Sequence, residues 1–101
     1  MPSRDFSKTI GNRDFDLYIG AGTHKVEYSL EIRLANEIVT LWGEFEETDL
    51  HVTFEKWAAR AIELVVESQN RELPRLQMYE VYLLNLWKRE LDSTNVPLRQ
   101  E

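Results

Sequence analysis

The chain has 101 residues, 43% of them hydrophobic, no cysteine and a formal net charge of −6. That length and apolar content suit one domain with a buried core and not a disordered chain, while the lack of cysteine excludes disulfides and thiolate metal sites. No apolar run approaches the ~20 residues that span a bilayer, and the N-terminus MPSRDFSKTIGNRDF lacks the apolar core of a signal peptide, so the expectation is a soluble, cytoplasmic protein.

The charge is unevenly spread. Residues 1–13 carry three basic side chains and one acidic one, residues 14–72 carry thirteen acids against five bases, and residues 73–101 balance at four each. A phosphate-backbone binder needs a cationic track, so direct nucleic-acid binding is not expected of this chain. The acidic middle suits a basic protein partner instead.

Residues 1–13 show no hydrophobic period and read as a loose N-terminal arm or an edge segment. Asp14 to Ile19 alternates, with Phe15, Leu17 and Ile19 on one side. The clearest signal follows: in His24 to Leu34, Val26, Tyr28, Leu30, Ile32 and Leu34 alternate with Lys25, Glu27, Ser29, Glu31 and Arg33. A period of two marks a strand with one buried and one wet face.

Between these strands, Gly20-Ala21-Gly22-Thr23 reads as a hairpin loop in which glycine supplies positive φ. A phosphate-binding loop would have to lead into a helix N-terminus, and this one leads into a strand. The loop sets Ile19 opposite His24, Leu17 opposite Val26 and Phe15 opposite Tyr28. A turn at Ala35-Asn36-Glu37-Ile38 then sets Ile32 opposite Leu41, Leu30 opposite Gly43 and Tyr28 opposite Phe45. Apolar residues meet apolar or amphipathic ones throughout, as a half-buried meander requires.

A first helix is expected from Thr53, a suitable N-cap, with Phe54, Ala58, Ala61, Ile62 and Val65 on one stripe and Trp57 and Leu64 on its flank. Lys56, Arg60, Glu63 and Glu67 lie opposite. Ser68 to Glu72 reads as a polar connection. Pro74 suits a first helical turn, and the second helix is expected to end near Asp92, before Ser93-Thr94-Asn95 and Pro97. Its apolar residues cover about 200° of the wheel where a core-facing stripe needs only about 100°. Either it is wedged between layers, or Tyr79, Tyr82 and Leu86 meet a second copy or another partner.

The fold class is therefore α+β. It is expected to be a two-layer single domain with a three-stranded antiparallel meander over residues 14–46, then two helices over 53–92 packed on one face (β-β-β-α-α) and a frayed tail over 93–101.

The predicted register crowds the outer sheet face. Asp16 falls opposite Glu27, Glu27 opposite Glu46, and Ser29 between Asp14 and Glu44, with Glu31 beside Trp42 and Lys25 beside Tyr18. Like charges across strands are destabilising by some tenths of a kcal/mol each. Asp14, Asp16, Glu27, Glu31, Trp42, Glu44 and Glu46 are accordingly the candidate partner-binding residues, with Trp42 as anchor if it is exposed. The alternative is that Phe6 and Ile10 of the arm cover it. A solvated face that simply carries charge is the plain alternative for the carboxylates.

His24 and His51 are weak signals. Asp49-x-His51 near Glu47 lacks an established zinc spacing, and no metal or cofactor is expected. No serine stands in a nucleophile elbow, no cysteine serves as thiolate, and carboxylates on an open face lack the desolvation a general acid needs. The sequence thus points to a non-enzymatic protein that binds a basic surface, in the manner of an inhibitor, antagonist or immunity-type protein. The alternative is a homo-oligomeric structural or accessory subunit associating through the second helix.

Overall fold

The computed structural model describes residues 2–10, 13–33, 38–49, 51–71 and 77–94. Four strands, β1 (Ser3–Ile10), β2 (Arg13–Ala21), β3 (Lys25–Arg33) and β4 (Ile38–Glu46), precede two helices, α1 (Phe54–Arg71) and α2 (Met78–Thr94). The strands pair antiparallel in the order β1-β2-β3-β4. The class is α+β, with one strand more than the periodicity indicates.

Alternation builds the core. Phe15, Leu17 and Ile19 of β2 and Val26, Tyr28, Leu30 and Ile32 of β3 are buried on the face that the helices cover. Ala58, Ala61, Ile62 and Val65 of α1 meet them, as the helical stripe requires, together with Leu83, Leu84, Trp87 and Leu91 of α2. Phe15 stacks on Trp87 at 5.9 Å between ring centroids. The small Ala58 and Ala61 let α1 lie close to its neighbours.

Of the two expectations for the N-terminal segment, the edge holds and the loose arm does not: it is the edge strand β1. Its residues alternate, but the inward set is Arg4, Phe6, Lys8 and Ile10, which hides the apolar period. Phe6 is buried, and Ile10 packs against the core. Arg4 and Lys8 reach the helix layer and pair with Glu55 at 2.7 Å and Glu90 at 2.8 Å.

Both registers differ from expectation. Phe15 faces Ile32, not Tyr28, and Leu17 faces Leu30, not Val26. The first half of the expected loop, Gly20 and Ala21, is the end of β2, and the turn is the tighter Gly22–Lys25, closed by the Gly22 amide donating to the Lys25 carbonyl at 2.7 Å. His24 of this turn has a positive φ, 62°. Between β3 and β4, Tyr28 faces Gly43 and Leu30 faces Leu41. The Tyr28 ring occupies the space a Gly43 side chain would need, and Phe45 packs beside it at 6.2 Å. Both slips are even, so every residue keeps its expected face. In the expected Ala35–Ile38 turn, residues 35–37 lie outside the described residues, and Ile38 already belongs to β4.

Thr53 caps α1, its hydroxyl accepting from the Lys56 amide at 3.3 Å. The helix runs through the expected connection to Arg71, because Glu, Gln and Arg are good helix formers. Residues 72–76, including Pro74, lie outside the described residues; of the frayed tail expected over 93–101, Ser93 and Thr94 instead close α2, and the stretch from 95 onward lies outside the described residues. The first turn of α2 holds half of a capping box: Glu80 reaches back to accept from the Gln77 amide at 2.9 Å. Glu80 is 4% exposed, and Arg13 approaches it to 3.8 Å.

Candidate functional site

The helices cover one sheet face and leave the other open. Three cross-strand rows define the centre of the open face: Ser7, Asp16, Glu31 and Thr40; then Asp5, Tyr18, Ser29 and Trp42; then Ser3, Gly20, Glu27 and Glu44. An aromatic row therefore lies between two carboxylate pairs. Glu27 and Glu31 are four residues apart on β3, so the pairs stand about 13 Å apart.

All the carboxylates nominated from the sequence, Asp14, Asp16, Glu27, Glu31, Glu44 and Glu46, lie on this face, joined by Asp5. Their neighbours differ from those expected. Glu27 sits between Gly20 and Glu44 and not between Asp16 and Glu46; Asp16 meets Glu31, Glu46 meets Lys25, and Asp14 meets Arg33. Trp42 and Tyr18 both flank Ser29, instead of standing beside Glu31 and Lys25. The even slip thus spreads the expected crowding at Glu27 into two separate like-charge pairs.

Local partners relieve part of the repulsion. Ser7 donates to Asp16 at 2.6 Å and Thr9 to Asp14 at 2.7 Å, both from β1. Arg33 pairs with Glu31 at 3.2 Å, and Lys25 with Glu44 at 3.0 Å. The Lys25 ammonium is held above the ordinary lysine range, first by its hydrogen bond to Glu44 and then by the charge of Glu44, with Glu27 and Glu46 adding to it. On this face Lys25 and Arg33 stand against seven carboxylates, leaving a strong acidic excess.

Trp42 is 79% exposed. The N-terminal segment does not cover it, because Phe6 turns to the opposite face and enters the core. Tyr18, its exposed partner across Ser29, was not singled out by sequence, although its place in the alternation of β2 puts it on this face. A recess of about 320 Å³ opens at β4, lined by Glu27, Tyr28, Trp42, Gly43 and Glu44. Two carboxylates and an indole suit a cationic side chain there.

The second candidate surface is only partly assembled. Tyr79 and Tyr82 of α2 are exposed, the latter at 58%, while Leu86 packs against the core. The Arg13 guanidinium lies 5.8 Å from the Tyr79 ring centre.

A cavity of about 640 Å³ lies where the β2–β3 turn approaches α1, beside His24, Lys25, Glu47, Asp49 and Trp57. Its carboxylates serve the loop: Glu47 accepts from the Asp49 amide and the Trp57 indole N–H, and Asp49 accepts from the His51 amide. Among the described residues, no group of three or more His, Asp or Glu side chains is placed to hold a metal ion, and no helix is long and apolar enough to cross a membrane. No family model, curated protein or solved structure matches the chain.

Proposed function

We propose that this chain is a non-enzymatic binding module whose open sheet face docks on a basic surface of a larger protein, in the manner of an inhibitor, antagonist or immunity-type protein. The observation that carries this reading is Trp42, 79% exposed in a row flanked by carboxylate pairs on a face the helices leave bare. A large aromatic ringed by polar groups is the pattern of an interface anchor. The surrounding charge would speed encounter with a cationic partner and weaken the complex as salt rises.

The test is affinity capture from host extract with the tagged chain, run beside Trp42→Ala and a Glu27→Lys/Glu44→Lys double variant, with stepwise salt elution. The expected result is a basic protein retained by the parent chain, released as ionic strength rises, and lost from both variants. The thermal midpoint of Trp42→Ala should stay nearly unchanged, since the side chain is exposed. Equal retention by Trp42→Ala would overturn the reading.

A second reading is favoured by exposure on α2, where Met78, Tyr79 and Tyr82 all face outward. In it, the chain is a homo-oligomeric accessory subunit that associates through α2. Light scattering distinguishes the two, because apolar self-association persists at high salt whereas acidic docking does not.

A further inference from the structure

The two edges of the sheet are built differently. An unpaired edge is a template for another strand, and proteins guard such edges with inward-pointing charges, proline or covering elements. β1 is guarded in this way: Arg4 and Lys8 point toward the helix layer and are held there by Glu55 and Glu90. A strand added beside them would meet charged groups where it needed an apolar layer.

Among the described residues β4 has no such guard. It is nine residues long, IVTLWGEFE, with no proline, lysine or arginine. Its inward residues Val39, Leu41 and Phe45 are apolar and only half-buried, so the helix layer stops short of covering them. Ile38 is 55% exposed. Among the described residues β4 pairs only with β3, which leaves one row of its backbone donors and acceptors without a ladder partner.

We infer that β4 accepts an extended basic segment of the partner by strand addition, the incoming chain alternating apolar residues with lysine or arginine. This rests on the docking reading above and specifies how the partner is engaged. Alternation follows from the pleat: side chains of the added strand fall by turns on the helix side and on the open side. Those on the helix side would extend the layer begun by Val39, Leu41 and Phe45. Those on the open side would meet Trp42, Glu44 and Glu46, beside the recess that Glu27 and Glu44 line. Charge selects the occupant. A second copy of β4 would bring Ile38, Thr40, Trp42, Glu44 and Glu46 to the open side and no cation, and the whole chain carries −6, whereas a cation can lie on the Trp42 face and between the acids. Main-chain bonds then supply affinity and the alternate side chains specificity.

The test uses the full chain and a labelled nine-residue peptide alternating lysine or arginine with valine. Two control peptides accompany it: one with glutamate in place of each cation, and one keeping all side chains but N-methylated at alternate backbone nitrogens. Binding is read by fluorescence anisotropy and by amide hydrogen exchange. The parent peptide should bind, with new protection confined to β4 and its neighbour β3. The glutamate peptide should not bind, and N-methylation should weaken binding by roughly tenfold or more, because it removes several backbone donors. Binding insensitive to N-methylation, with no protection at β4, would overturn strand addition and leave face docking intact. Absence of peptide binding while host-extract capture still depends on Trp42 would do the same. Failure of both experiments would remove the two readings together. Self-association that protects β4 without peptide would replace the basic strand with a second copy.

Discussion

Gly43 shows how one residue fixes a register. A Cβ built there would collide with the Tyr28 hydroxyl and come within 2.5 Å of the adjoining ring carbon, closer than any unstrained contact. Tyr28 is itself buried, so its ring has little room to withdraw. Gly43→Ala should therefore destabilise the fold by about 1–3 kcal/mol, in the range of overpacked cores. The loss should shrink in a Tyr28→Val background, where the obstructing ring is gone. Chemical denaturation of the two single variants and the double variant checks this, and strict additivity would mean that the ring does not set the register. The pairing was open to misreading from sequence, because two aromatics opposite each other look better matched than an aromatic and a glycine. Only the volume of the tyrosine ring explains why the glycine is the better neighbour.

At the scale of elements, α1 and α2 are joined on their flank by Glu63, which accepts from Arg60 on its own helix and from Lys88 of α2 at 3.3 Å. The Arg60 hydrogen bond, aided by Lys88, holds the Glu63 carboxyl below the ordinary glutamate range despite an opposing effect of burial. A carboxylate whose folded pKa is depressed adds stability above its unfolded pKa and loses it as pH falls through the folded value. The contribution should be full at neutral pH and fade below about pH 4.3, the unperturbed value. Glu63→Gln should flatten that acid limb of the stability curve and change little at high pH beyond the loss of a partly exposed pair, since solvent reaches the group, whose side chain is 42% exposed. An unaltered acid limb in the variant would show that Glu63 is not linked to folding. Much of this layer was legible in the sequence: Thr53 as cap, and the stripe of Ala58, Ala61, Ile62 and Val65. The sheet faces were legible too, because alternation in β2 and β3 assigns every side chain to a face whatever the register. The register itself was not, because slips of two or four residues preserve the faces and hydrophobicity cannot distinguish them. Thus the acidic face was identified as a set of residues while its internal neighbours were misplaced.

For the whole molecule, the uneven charge of the sequence becomes a division between two surfaces. The basic residues of the first segment turn inward and are spent on the helix layer, Arg4 on Glu55, Lys8 on Glu90 and Arg13 near Glu80. The acids of the middle segment that lie on the sheet are left outward, with Lys25 and Arg33 of the described strands to offset them. The same inward cations made β1 unreadable, since Arg4, Phe6, Lys8 and Ile10 show no apolar period until their helix partners are known. A loose arm and a guarded edge strand predict different outcomes for a chain lacking residues 1–10. An arm could be removed with no effect on stability. Removing β1 instead takes away the buried Phe6, breaks the ion pairs to Glu55 and Glu90, and turns β2 into an edge. The inward residues of that new edge, Phe15, Leu17 and Ile19, are fully buried in the intact chain, and it would carry no inward charge beyond Arg13 to discourage pairing. The truncated chain should melt at a clearly lower temperature and self-associate at micromolar concentration, as seen by light scattering, while the full chain shows no association through that edge. A truncated chain that stays monomeric with an unchanged midpoint would show that β1 neither stabilises nor guards the sheet.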